Sequence, residues 1–518
     1  MRRKLAFACV CIGSCFLGCS GTDKAGIAAP DSNAPYPHGS DGTLPAAADD
    51  AGTSSLGFDP QSPFGGFFRY GVNGGYPNPN FDDQALAALE QRRGCNSQRI
   101  SLPETHLARW GWEIEVADLT ADQSLGLSGQ VGFLTSPTRE HSSAPATAQD
   151  WELAQYIPRN LYEPILGDDG QVNPDNYWAA YVYKTVSTYK SFIKIWEIWN
   201  EPDWVADWQL VDQWKTRAPT AADLPRFNGS IFDYVRMLRV SKLAAQLADP
   251  QAKIATGGLG YPNFLAALLR STDNPLDGSV TSKFPKTGAA YIDVLSFHHY
   301  PIYTQGNSDA ALGGYFDQIE AFRSTLAQSD ASIVAWETTE TGAPHAKVGN
   351  NPGGEDYARN YLLKVMINAQ TYGIDGIDWF DLADSATSTT TDDPYALMGL
   401  YQPVANLTSI DAAVATTTGA AYATLGKLLG KARFDDSATH ALGLPANVKG
   451  AAFSTSDGKR ALALWATTNT GESATATLPN TTAWTAYEWD WSSTGATVSI
   501  AAGDVLALES TPRIFIER

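Results

Sequence analysis

From about residue 66 the chain alternates two hydrophobic rhythms. Short runs of bulky or β-branched residues at 67–72, 98–102, 130–135, 192–199, 253–257, 293–297, 332–339 and 376–380 read as buried strands. Between them, apolar residues spaced three and four apart predict helices at 82–93, in parts of 106–124, and at 176–190, 231–247, 263–270, 314–327, 357–371 and 412–429. In the first of these, Ala85, Leu86 and Leu89 share one face. Eight strand-helix units in succession predict an α/β chain folded as a (β/α)8 TIM barrel over 63–432. A doubly wound parallel sheet is the alternative, but it rarely carries acids at so many strand ends.

The rhythm changes at 433. Short period-two runs at 461–465, 473–478, 487–491, 496–500 and 513–517 are separated by Ser456-Asp457-Gly458, Asn469-Thr470-Gly471 and Gly503-Asp504. They predict a C-terminal all-β sandwich domain over 433–518. In this reading Tyr487, Trp489 and Trp491 alternate onto one strand face. Packing against the barrel is preferred for them over a sugar-binding strip.

The amino-terminal stretch breaks both rhythms. Arg2, Arg3 and Lys4 precede an apolar run at 5–16, and Leu17-Gly18-Cys19 follows. This is the layout of an export signal over 1–19, too short to span a bilayer. Its end resembles a bacterial lipobox, which implies a lipid anchor at Cys19; an ordinary secretory signal is the alternative. Residues 20–62, rich in Gly, Ala, Ser, Asp and Pro, read as a flexible linker. The expected location is therefore outside the cytoplasm, as a cell-envelope lipoprotein or a secreted protein. Four of the 5 cysteines fall in the signal, leaving Cys95 alone in the body, where a buried inert thiol is expected. A formal net charge of −20 argues against nucleic acid or an anionic membrane surface as the partner.

Candidate chemistry sits at strand ends. In Trp196-Glu197-Ile198-Trp199-Asn200-Glu201-Pro202 a buried strand runs into an Asn-Glu pair, and Pro202 then removes a ladder donor. Barrel enzymes keep their chemistry at such ends, so Glu201 is a candidate acid/base. A second acidic stretch, Trp336-Glu337-Thr338-Thr339-Glu340-Thr341-Gly342, ends the seventh strand. Alternation turns residues 337 and 340 to opposite faces. Gly-rich phosphate loops, His-Glu-x-x-His and Gly-x-Ser-x-Gly are absent from the sequence.

These strand ends resemble those of clan A retaining glycoside hydrolases, closest in motif to families 39 and 5. The resemblance covers residues 66–430 in layout and is sharp in the short motifs. It implies Glu201 as acid/base and a seventh-strand Glu as nucleophile. Glu340, followed by Thr341-Gly342, is preferred over Glu337, which would otherwise be a supporting acid or a partner for an Arg. It also implies Asn200 as a ligand of the sugar 2-hydroxyl, and Arg99 as the second-strand Arg that holds the nucleophile charged. His298 and Tyr300 match a His-x-Tyr on the sixth strand, with His299 turned away. Trp379 matches the eighth-strand Trp that floors the catalytic subsite, with a core Trp as the alternative.

The resemblance implies hydrolysis of β-glycosidic bonds in a poly- or oligosaccharide by double displacement, with no cofactor and no metal. Two carboxyls roughly 5–5.5 Å apart are required, with Glu201 protonated at rest and Glu340 ionised. A non-catalytic carbohydrate-binding protein on the same barrel, and a transglycosylase using the same two glutamates, are the alternatives.

Overall fold

The computed structural model describes residues 67–75, 77–303, 306–388, 390–467, 473–479 and 482–518. The expected export signal with Cys19, the linker and the turn at Asn469-Thr470-Gly471 lie outside the described residues.

The eight apolar runs form strands β1 (Arg69–Asn73), β2 (Ser97–Ser101), β3 (Gln130–Leu134), β4 (Ile193–Ile198), β5 (Lys253–Ala255), β6 (Val294–His299), β7 (Ala335–Thr341) and β8 (Gly376–Trp379). They pair in parallel in sequence order, and β8 closes on β1. The surrounding helices are α1 (Asp83–Arg92), α2 (Glu104–Trp110), α3 (Val116–Leu125), α4 (Tyr177–Tyr189), α5 (Ile231–Ala248), α6 (Pro262–Arg270), α7 (Ser308–Leu326), α8 (Glu355–Thr371) and α9 (Thr417–Leu429). The expected TIM barrel is the observed fold. The stretch at 106–124 resolves into two helices, α2 and α3, because Gly111 at φ +108° ends the first.

Alternation decides what fills the barrel. Outward residues such as Trp196 and Ile198 join the helix-packed core. Inward residues form a small apolar floor of Val131, Ile195, Ala255, Val294 and Ala335. Above this floor the interior turns polar, and that polar column leads to the candidate site.

Strand β7 starts and ends later than its hydrophobic run suggests, so Glu340 lies within the strand. Pairing shifts register at Thr338/Thr341 against β8 and at Phe297/His298 against β6. A bulge inserts an extra residue and resets which side faces inward. Glu337 and Glu340 therefore do not take opposite faces. Glu337 is buried within the barrel and paired with Arg69 across Gly376, where a Cβ would meet both side chains.

The C-terminal domain has more strands than the sequence suggests. Its six-stranded sheet runs β14 (Thr497–Ile500), β13 (Trp484–Tyr487), β16 (Arg513–Glu517), β11 (Arg460–Ala466), β10 (Val448–Ser454) and β9 (Arg433–Phe434). A two-stranded sheet pairs β12 (Ala474–Thr477) with β15 (Val505–Leu508). Of the larger sheet, Ala451, Phe453, Ala463 and Trp465 join the barrel core, while Ala452, Leu462, Leu464 and Phe515 cover the small sheet. The expected strand at 487–491 is corrected: β13 ends at Tyr487, and Trp491 opens a short helix. Tyr487 and Trp489 pack on the barrel core, and Arg359 of α8 lies 4.6 Å from the Trp489 ring. Packing, the preferred reading, is what Tyr487 and Trp489 do, and Trp491 lies edge-on to Tyr487 with ring centroids 5.1 Å apart.

Candidate active site

The turn after β4 presents the first acid. Trp199 and Glu201 hold φ of +72° and +46°, a left-handed conformation that costs a side-chain-bearing residue of order 1–3 kcal/mol. Neighbours fix it. The Trp199 indole donates to Arg226 O at 2.9 Å. The Glu201 amide donates to Gly257 O at 2.7 Å. Asp203 accepts from the Gly260 and Tyr261 amides at 2.9 and 2.8 Å, tying the turn to the start of α6. Regular pairing of β4 ends at Ile198, yet the Trp199 amide still donates to Leu134 O at 2.9 Å.

The second acid is held from two sides. Glu340 Oε1 accepts from Arg99 Nη1 at 2.6 Å, and its Oε2 accepts from the Tyr300 hydroxyl at 2.7 Å. His298 stands between the acids, with Nδ1 3.2 Å from Glu201 Oε1 and 3.4 Å from Glu340 Oε2. The other ring nitrogen lies 3.1 Å from Thr339 Oγ1. One ligating atom each of Glu201, His298 and Glu340 lies within 4.8 Å of the other two. Gly258, at φ +64°, gives the imidazole its room, since a Cβ there would sit 2.0 Å from His298 Nε2.

Arg99 connects the site to the barrel interior. Its Nε donates to Glu197 Oε2 and its Nη2 to Asn200 Oδ1, both at 2.7 Å; Nη1 also reaches Asn73 Oδ1 at 3.2 Å. The guanidinium lies 4.1 Å from the Phe133 ring centroid. Accepting from Arg99 leaves the NH2 of the Asn200 amide as the end that can donate to a ligand. The other oxygen of Glu197 accepts from Ser296 Oγ at 2.8 Å and Thr339 Oγ1 at 2.9 Å.

Thus Glu201, Glu340, Asn200, Arg99, His298 and Tyr300 meet at one barrel mouth. Trp379 does not join them. Alternation places Asp378 inside the barrel and turns Trp379 outward, where it is fully buried and donates to Met398 O at 2.8 Å. The core alternative describes Trp379. The aromatic nearer the acids is Phe380, edge-on to Tyr300 with ring centroids 6.0 Å apart. His299 faces away as alternation predicts, 2.7 Å from Gln318 Oε1, with burial depressing its pKa to about 4. Cys95 is a buried free thiol.

Sequence reasoning passed over Glu197, Asn73, Thr339 and Arg226. Glu197 sits two residues before a turn whose last acid drew attention, and inward alternation at 195 and 197 was its available signal. Arg226 lies in the long insertion after β4 and carries no local signal. It ion-pairs with Glu201 Oε2 and stacks on Trp204, with 4.4 Å to the ring centroid.

That contact corrects the expected resting charge. Burial alone would raise the Glu201 carboxyl. The His298 hydrogen bond and the charges of Arg226, His298 and Arg99 outweigh it and hold the group below the ordinary glutamate range. Burial likewise works against a charged His298, but Glu340 and Glu201 win and raise its pKa. The free site therefore favours an ionised Glu201, beside an imidazole that protonates more readily than usual. Glu201, His298 and Glu340 could in principle ligate a cation, but the carboxylates are already engaged by Arg226, Arg99 and Tyr300.

No family model matches the sequence, and no curated protein matches it. Solved structures do share its fold. A family 39 glycoside hydrolase from the gut symbiont Bacteroides cellulosilyticus WH2 superposes with a TM-score of 0.56 at 17% identity, covering 86% of this chain and 80% of that one. A glucosidase from Croceicoccus marinus gives 0.54 at 12% identity, covering 88% and 97%. The chain therefore has the barrel-plus-β-domain fold of these proteins, the fold implied by the resemblance in its strand-end motifs.

Proposed function

We propose that this chain is a retaining glycoside hydrolase that cleaves β-glycosidic bonds of extracellular poly- or oligosaccharides. The observation that carries the reading is the pair Glu201 and Glu340, whose facing atoms lie within 4.8 Å across one cavity mouth. That separation suits attack at a single anomeric carbon by one carboxylate while the other serves the departing oxygen.

In this reading Glu340 is the nucleophile. Arg99 and Tyr300 fix both of its oxygens, so it is aimed before substrate arrives. Glu201 protonates the departing oxygen as the glycosyl-enzyme forms, then takes a proton from the water that cleaves it. The Asn200 amide donates to the sugar 2-hydroxyl, a bond that strengthens in the transition state. Because Glu201 starts ionised, it takes up a proton before the first step. The basic, apolar amino terminus ending in Cys19 supports export and a lipid anchor. The solved structures of the same fold that are glycoside hydrolases support the reaction class.

The test is a screen of aryl β-glycosides and polysaccharides, followed by NMR of the first product. Retention of anomeric configuration is expected, and inversion would sink double displacement. Glu201→Gln should lose about 10²–10⁴-fold on substrates with poor leaving groups and far less on activated aryl glycosides, which need little protonation. Equal losses on both would count against the acid role.

A further inference from the structure

Arg226 ion-pairs with the carboxylate that the proposed mechanism uses as its acid. A carboxylate tied to a guanidinium is a poor proton donor, and yet Glu201 has to donate. Something must draw Arg226 off when substrate binds.

The geometry indicates on which side this happens. Glu201 Oε1 faces His298, and through it the nucleophile Glu340. Arg226 meets the opposite oxygen, Oε2. Since the anomeric carbon belongs between the two acids, Arg226 stands on the side of the departing group. Its guanidinium rests on the Trp204 ring, and a stacked guanidinium keeps its in-plane N–H groups available to a second planar anion. The residue itself is anchored, because its carbonyl accepts from the Trp199 indole and the next-but-one residue, Asn228, bonds Gln155 O at 2.9 Å. The side chain is therefore a tethered cation with one acidic partner that catalysis needs back.

We propose that Arg226 receives an anionic group, a carboxylate, on the sugar that leaves, and that by taking this group it releases Glu201. The proposal rests on the reading of Glu201 as acid/base. The substrate class is then a glycan with an acidic residue, such as a uronic acid, immediately on the leaving side of the scissile bond. Freed of its counter-charge, Glu201 takes one proton from solvent and gives it to the glycosidic oxygen. The other titratable or charged groups around Glu201 are His298 from β6, Arg99 from β2, Glu340 from β7, Asp203 from its own turn, and the hydroxyls of Tyr300 and Tyr395. Of these, His298 meets Oε1, whereas Oε2 pairs with Arg226. The chain's net charge of −20 repels an acidic glycan at long range, but salt screens that repulsion beyond about 8 Å.

The test uses pairs of aryl β-glycosides identical except for a carboxylate or a carboxamide on the aglycone, with leaving-group acidity matched. The wild-type chain should favour the carboxylate by roughly ten- to a hundredfold in kcat/KM, the fold-change one charge-assisted hydrogen bond supports. Arg226→Gln should abolish the preference, and Arg226→Lys should restore part of it. On the carboxamide, Arg226→Gln should also move the basic limb of the pH profile upward, since Glu201 then keeps its proton to higher pH. Calorimetric binding of the same pair to Glu340→Gln reads the anion site without turnover. No carboxylate preference in binding or turnover, or a preference unchanged by Arg226→Gln, overturns the proposal while any hydrolysis leaves the glycosidase reading standing. A preference in binding with no hydrolysis of any glycoside keeps the anion site and removes the catalytic reading.

Discussion

Substituting Glu90 by Gln should make this protein more stable, and increasingly so as pH rises. Glu90 on α1 faces Asp118 and Asp122 on α3, and all three carboxyls are buried. Gln98 Nε2 donates to Asp118 Oδ2 at 3.1 Å and also to Asp122 Oδ2. Glu90 Oε2 and Asp122 Oδ1 are left with no donor. Two carboxylates have none to offer each other, and a proton between them supplies it. Burial, then the charges of Asp122 and Asp118, hold the Glu90 carboxyl well above the usual range. Burial lifts Asp122 to about 6. A glutamine places a permanent N–H where Glu90 must otherwise retain a proton.

The sign follows from linkage. The folded pKa is raised, so the native chain holds a proton that the unfolded chain has released above about pH 4.3. Stability is fully present below that pH and falls as pH climbs toward the folded value, by about 1.4 kcal/mol per pH unit. Between pH 5 and 7 the wild type should lose stability relative to Glu90→Gln for as long as Glu90 keeps its proton, up to about 3 kcal/mol if it keeps it throughout. At about 2.1 cal/mol/K per residue, a cooperative body of roughly 450 residues shifts by about 1 °C per kcal/mol, hence up to ~3 °C. The assay is the thermal midpoint of both chains at pH 5, 6 and 7. Parallel curves would refute the shared proton, and a midpoint gap that narrows with rising pH would reverse its sign.

Tyr300→Phe removes the hydroxyl 2.7 Å from Glu340 Oε2 and should cost about tenfold or more in kcat/KM, with the thermal midpoint nearly unchanged; steady-state kinetics beside a melt separates the two. Glu197→Ala strips the acceptor from Arg99 Nε, Ser296 and Thr339 inside the barrel and should destabilise by about 3–5 kcal/mol, read by denaturant unfolding. Full stability in that variant would contradict the role given to Glu197.

Much of this was legible from pattern. The strand-helix alternation yields the barrel, and residues 200 and 201, past the end of β4, stand where barrel chemistry belongs. Alternation also separates His298 from His299. It fails where backbone geometry departs from the ideal. At β7 a bulge brings both Glu337 and Glu340 inward, which no two-residue period anticipates. At β8 the rule was available and points Trp379 outward, so a motif match misled where periodicity would not have. Strand β10 (Val448–Ser454) hid behind its small residues, Gly450, Ala451 and Ala452, which look like linker without the layers they pack between, the barrel under Ala451 and the small sheet over Ala452. Arg226 was beyond any local pattern, because its partner lies 25 positions away across a loop with no regular period.

The polar column in the barrel explains why the acids sit where they do. Beside the apolar floor, Arg69 pairs with Glu337 and donates to Gly129 O just ahead of β3. One level higher Arg99 pairs with Glu197 and extends to Glu340. Buried ion pairs of this kind are weak contributors to net stability, since desolvation offsets most of the attraction. Their directional bonds do something else. Glu197 takes Arg99 through Nε alone, which leaves both Nη groups to point upward, one to Glu340 and one to Asn200. The same Glu197 holds Thr339, and Thr339 holds the ring of His298. A single buried carboxylate thus orients Glu340, Asn200 and His298 at the mouth through Arg99 and Thr339. Orientation fixed from below leaves the rim loops free to differ, and the contact between Arg226 and Glu201 comes from such a loop. The floor and column hold the two acids in place, and in the proposed mechanism the β4–α5 insertion, through Arg226, sets when Glu201 is released.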